Sequence, residues 1–156
     1  MVTKNVFDVA AFILSQKHPL PTPRLHKLLY YCQAWSLVWN EEPLFEQAIE
    51  AWASGPVIKK LYDTHKGQYE MDLSDVPKLG NPDALSDTQK ETVQAVLRDY
   101  GNKSAQWLRD LIIMEKPWID GRKGLDARQG GGREITLASM AEYYEGVYNE
   151  GFEIEI

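Results

Sequence analysis

The residue types able to make or break bonds are few in this chain, and their spacing keeps them apart. Cys32 is the one cysteine. To act as a nucleophile it would need a positioned base and a group orienting that base. It falls instead on the inward face of a nearly all-apolar helix, where a thiol behaves as a small buried hydrophobe. A single cysteine also excludes an intrachain disulfide and a cysteine-based metal cluster, and it fits a reducing compartment. Metal binding needs ligands in close clusters, such as His-x-x-x-His on a helix, whereas His18, His26 and His65 are isolated in sequence, with His26 on the polar flank of its helix. Glu41 and Glu42 read as solvated turn residues, without the desolvation that raises a catalytic acid's pKa. No Gly-x-Ser-x-Gly elbow occurs, and Gly130-Gly131-Gly132 lacks the preceding strand and the following lysine and hydroxyl residue of a phosphate-binding loop. The expectation is a protein with no catalytic site, no cofactor and no metal.

What remains is an aromatic surplus of five tryptophans and eight tyrosines. Most must be core, yet these types also dominate interface hot spots. Trp52 stands beside the rigid corner Ser54-Gly55-Pro56, and Trp118 follows Pro117. Both lie at element ends where burial is incomplete, which marks them as partner contacts. Nucleic acid is the other class of partner to weigh. A net charge of −6 disfavours a broad basic DNA-binding surface and suits a basic partner instead. The best recognition-helix candidate, residues 104–114, offers only Gln106, Arg109 and Asp110 outward. A basic arm made of Arg122, Lys123, Arg128 and Arg133 is the feature that a DNA-binding reading would rest on.

The element that must hold these residues in place is residues 22–40. Thr22 is suited to cap a helix and Pro23 to open it. Leu25, Leu28, Leu29, Cys32, Trp35 and Trp39 share one face, while Tyr30, Ala34, Leu37 and Val38 fall on the other. Such a helix has no side for water along its second half, so other helices must surround it. Asn5 caps a first helix running to about Lys17, ended by His18-Pro19-Leu20-Pro21. Ser54-Gly55-Pro56 opens a helix carrying Val57, Ile58, Leu61, Tyr62 and His65, and Gly67 ends it. Residues 68–85 read as a surface loop. Ser86 with Gln89 forms a capping box, Ser104 caps the next helix, and Pro117-Trp118 closes it. Residues 119–133, rich in glycine and charge, are the least ordered stretch expected. Thr136 caps the last helix, and the alternating tail Phe152 to Ile156 suits a short strand. Residues 48–53 fit a strand or one helical turn equally well.

The expected fold is therefore mainly α, with about six helices around the central helix 22–40. At most a small two- or three-stranded sheet would come from 48–53, 133–136 and 152–156. A chain of 156 residues reads as one domain, 1–156. The N-terminus, Met1-Val2-Thr3-Lys4-Asn5, has no basic region followed by a long apolar run, so neither signal peptide nor membrane anchor is expected and the cytoplasm is the default.

An ordered set of residues in this chain resembles the Panacea antitoxin domain family, which includes SocA-like proteolytic adaptors and proteins carried by phages and mobile elements. The matching pieces are Leu25-His26-Lys27-Leu28-Leu29-Tyr30-Tyr31-Cys32-Gln33-Ala34-Trp35, Pro43-Leu44-Phe45, Ile49-Glu50-Ala51-Trp52-Ala53-Ser54-Gly55-Pro56-Val57 and Tyr62. A weaker likeness extends over roughly residues 6–148. The resemblance implies a mostly helical domain that neutralises a cognate toxin by direct binding and, in the adaptor subgroup, delivers it to a protease. Where family members often carry a threonine-histidine pair shortly before the Pro-Trp, this chain has Ile112-Ile113. Trp52, Gly55, Pro56, Tyr62 and Trp118 are accordingly the candidate partner-binding residues. The alternative function is a DNA-binding regulator encoded on a mobile element.

Overall fold

The computed structural model describes residues 5–155, with side chains as far as residue 150. The first half holds α1 (Val6–Gln16), β1 (Leu20–Pro21), α2 (Thr22–Trp39), β2 (Ile49–Trp52), β3 (Gly55–Val57) and α3 (Lys59–His65). Then follow β4 (Glu70–Met71), α4 (Val76–Leu79), α5 (Asp87–Tyr100), α6 (Ala105–Ile112), α7 (Lys116–Arg122), β5 (Glu134–Ile135) and α8 (Leu137–Glu155). The chain is mainly α-helical with small sheets, as its periodicity predicts. No described helix is long and apolar enough to cross a membrane.

α2 is the hub. Every residue from Leu25 to Ser36 is buried, because α1, α5, α6, α8 and β3 pack around it. A helix enclosed on all sides must satisfy its own polar side chains. Gln33 does so by gripping the segment after the helix: its Oε1 accepts from Leu44 N at 2.7 Å and Phe45 N at 3.2 Å, and its Nε2 donates to Phe45 O at 2.8 Å. That grip seats Leu44 and Phe45 in the core.

Four helix starts follow the expected capping residues. Asn5, Ser104 and Thr136 each accept from a backbone N–H in the first turn, and Ser86 with Gln89 bond reciprocally. Thr22 does not cap α2. Its hydroxyl donates to Gln68 O and Tyr69 O, because β1 pairs antiparallel with β4 and brings those carbonyls alongside. Residues 68–85, expected as loop, thus contain β4, α4 and two 3₁₀ turns, and Val76 of α4 reaches the core.

The other sheet has the order β3-β2-β5, all antiparallel. Of residues 48–53, Ile49–Trp52 form strand β2, and Ser54-Gly55-Pro56 is the bend and outgoing strand of a hairpin, not a helix start. Gly55 has φ +129°, outside the helical region. Pro56 can follow because β3 is an edge strand, where a missing N–H leaves no ladder bond unmade. α3 begins only at Lys59. Pro117-Trp118 likewise opens a helix instead of closing one: proline stands in the first turn of α7, where its absent donor costs nothing.

The tail is a further difference. Residues 152–155 continue α8, and Ile156 lies outside the described residues. β3 takes the place in the sheet expected for 152–156. Once a helix is running, each added residue gains a hydrogen bond at little cost, which outweighs a five-residue alternation.

Candidate partner-binding site

Trp52, Gly55, Pro56, Tyr62 and Trp118 converge on one corner of the molecule. The β2–β3 hairpin puts Trp52 opposite Gly55. The half-buried Trp52 ring meets Tyr62 of α3 edge-on at 5.1 Å, and its indole N–H donates to Glu50 Oε1 at 2.8 Å. Trp118 of α7 supports the hairpin from its other end, donating its indole N–H to Trp52 O at 2.9 Å. Trp52, Pro56 and Tyr62 line a hollow of about 250 Å³, together with Pro23, Val57 and Ser54.

The floor of this hollow is polar. Lys27, His26 and His65 reach it from α2 and α3. His26 Nδ1 accepts the Ile58 N–H at 3.1 Å, and His26 Nε2 lies 2.7 Å from His65 Nε2. A backbone N–H can only donate, so the proton of neutral His26 sits on Nε2 and is donated to His65 Nε2. The proton of neutral His65 is then on Nδ1, which is buried and finds no hydrogen-bond partner among the described residues. Burial, then the neighbouring His65 and Lys27, push His26 down to about 3. Burial lowers His65 as well, offset in part by its own main chain. The pair is therefore neutral near pH 7.

Lys27 is only 5% exposed. Its ammonium donates to Pro23 O at a long 3.4 Å, and no acidic side chain lines the hollow. Burial, then the like charge of Arg109, lower it to about 8. The φ of +129° at Gly55 favours glycine, and a Cβ there would stand 3.0 Å from Lys27 Cε, close enough to make the lysine side chain shift. The lysine, the glycine turn and the tryptophan thus form one packed unit.

The four residues of the expected basic arm are not all presented to solvent. Arg122 is buried: its Nη1 donates to Ala51 O and Gly131 O, and its Nη2 to Asp126 O and Gln129 O. It therefore folds the loop 123–132 onto β2 instead of projecting to solvent. Gly132 lies so close to β2 that a Cβ would collide with Ala51 O. Lys123, Arg128 and Arg133 are exposed. Cys32 is fully buried, and burial pushes its thiol well above the ordinary range.

Sequence reasoning missed the His26–His65 contact, which joins residues 39 apart, and the burial of Lys27. It also missed a second polar cluster. Glu115, at the start of α7, is buried and accepts from Tyr31 OH at 2.7 Å and Tyr144 OH at 2.8 Å, with Tyr30 OH 2.9 Å from Tyr144 OH. Burial raises the Glu115 carboxyl, and the two tyrosine hydrogen bonds pull it back. One signal for Lys27 was available: the run Leu28-Leu29-Tyr30-Tyr31-Cys32 directly after it belongs to a helix with little face left for water.

Fold and site together define a helical domain built around a buried hub helix, with an aromatic corner and, beside it, a hollow floored by Lys27, His26 and His65. The chain belongs to the family of antitoxin SocA-like Panacea domains, whose family model matches residues 25–119. The matched stretch contains the hub helix from Leu25 onward, the hairpin, α3 and Trp118. No curated protein and no solved structure matches the chain.

Proposed function

We propose that this protein is the antitoxin of a toxin–antitoxin pair and that it neutralises a cognate protein toxin by covering it with the Trp52 corner. The observation that carries this reading is the convergence of Trp52, Pro56 and Tyr62 on one preorganised surface in a chain of an antitoxin family. Preorganisation matters because ordering loops and side chains on binding costs affinity. Here the hairpin is held by the Gly55 bend, by Trp118 and by Glu50 before any partner arrives. An overall charge of −6 would speed encounter with a basic toxin. In this reading the chain works as one domain in the cytoplasm, without a catalytic step, metal or cofactor, and handing the toxin to a protease is a second stage. The DNA-binding alternative is weakened by Arg122, whose guanidinium is occupied within the fold.

Co-expression with the product of the adjacent gene, first shown to be lethal when expressed alone, tests the proposal. The wild-type chain should rescue growth. Trp52→Ala should abolish rescue while the purified variant keeps a cooperative melting transition, since half-buried hot-spot tryptophans contribute more than about 2 kcal/mol to binding. Full rescue by that variant would remove the corner from the interface. A fall in toxin half-life in the presence of the antitoxin would identify the proteolytic stage.

A further inference from the structure

We propose that the hollow behind the Trp52 corner is a carboxylate receptor, taking an acidic side chain or the terminal carboxylate of the bound polypeptide onto Lys27 and His65. The idea rests on the antitoxin reading for the source of the carboxylate, and on the hollow's own chemistry for the rest. A buried charge is costly unless it is paired and hydrogen-bonded. Lys27 is buried with one long hydrogen bond among the described residues, and its charged neighbour Arg109 is of the same sign. The nearby carboxylate of Glu50 is engaged by the Trp52 indole and lines a different hollow.

The second donor is independent of the first. His26 is fixed by the Ile58 N–H, His65 is fixed by His26, and the outcome is a buried imidazole N–H on His65 with no well-formed hydrogen bond among the described residues. Each unmet donor is a cost that a ligand with acceptor atoms would remove. An ammonium and an N–H at one site suit an anion and reject a lysine or arginine from a partner.

The walls select among anions. Trp52, Tyr62, Pro56 and Val57 are apolar or aromatic, and a space of about 250 Å³ suits a side chain better than a large ligand. A carboxylate needs acceptor partners for two oxygens and brings a carbon skeleton to lie on those walls. A phosphate would leave further charged oxygens against proline and valine, stripped of water.

The test compares isobutyrate with isobutyramide, which share shape and differ in charge, and uses inorganic phosphate as a second anion. NMR of the full chain follows the Trp52 indole N–H and the His65 ring. Isobutyrate should shift both saturably, with isobutyramide at least about tenfold weaker, the worth of one charge-assisted hydrogen bond. Lys27→Met should lose the isobutyrate response while still melting cooperatively, and should weaken rescue in the co-expression assay. Equal responses to acid and amide, or no response from either, would overturn the proposal without any variant being needed. A stronger response to phosphate would overturn the carboxylate assignment, and unimpaired rescue by folded Lys27→Met would overturn the partner's role. Failure of the wild-type chain to rescue would count against the antitoxin reading alone, because the isobutyrate comparison stands apart from it.

Discussion

Two buried ionisable groups in this molecule have opposite surroundings. Glu115 sits among Tyr31 and Tyr144, whose hydroxyls both reach its Oε1. Lys27 lines a hollow with aromatic and apolar walls and two neutral histidines on its floor, and among the described residues it makes one long hydrogen bond, to Pro23 O. The first group receives two tyrosine hydroxyls inside the fold and ties the start of α7 to α2 and α8, so its work is structural. The second is left incomplete by the fold and held open by the Gly55 bend. A protein domain can carry both because the stability gained from its satisfied networks offsets the cost of an unsatisfied recognition site.

The contrast can be broken from either side. Removing the Glu115 carboxylate strands two buried tyrosine hydroxyls, so Glu115→Ala should lower the unfolding free energy by about 3 kcal/mol in urea titrations. Glu115→Gln, which keeps an acceptor oxygen, should recover most of that loss. A loss below about 1 kcal/mol for the alanine variant would show that water replaces the carboxylate and that the cluster is no keystone. Removing the Lys27 charge should act in the opposite direction. Lys27→Met keeps the length of the side chain and deletes an unpaired buried cation, so it should stabilise the chain by about 2 kcal/mol at pH 7. Destabilisation by that substitution would make Lys27 a structural residue like Glu115.

How much of this was legible beforehand follows from the range of each interaction. The hub helix, the caps at Asn5, Ser86, Ser104 and Thr136, and the mainly helical class all depend on residues within a turn or two of one another, and periodicity exposes them. The aromatic corner was legible as a set of residue types at element ends. Its shape was not, because Ser54-Gly55-Pro56 fits both a helix start and a hairpin bend, and only pairing with Ile49–Trp52 decides between them. Pro117 was ambiguous for the same reason, since proline serves helix starts as well as stops. The Lys27 hollow and the Glu115 cluster are assembled by contacts between distant segments, as with Tyr31 and Glu115, 84 residues apart. Arg122 shows the same limit: counted with its basic neighbours it reads as part of a surface arm, while four main-chain carbonyls hold it inside.

The fold holds Lys27 charged and buried with one long hydrogen bond and no acidic partner among the described residues, and the pH dependence of stability measures the cost. In the native chain the ammonium releases its proton at about 8, whereas an unfolded lysine keeps it to 10.5. Between those values the unfolded state binds more protons, so the Lys27 contribution raises stability with pH, and its full penalty is present below 8. Tyrosines complicate the upper end. Burial raises Tyr30 and Tyr31, so ionisation of unfolded tyrosine erodes stability from about pH 10 upward, equally in wild type and variant. The informative quantity is therefore the difference in unfolding free energy between Lys27→Met and wild type from pH 7 to pH 10. It should be positive at pH 7 and shrink steadily above pH 8; a difference that is negative, or that stays level across the range, would contradict the account.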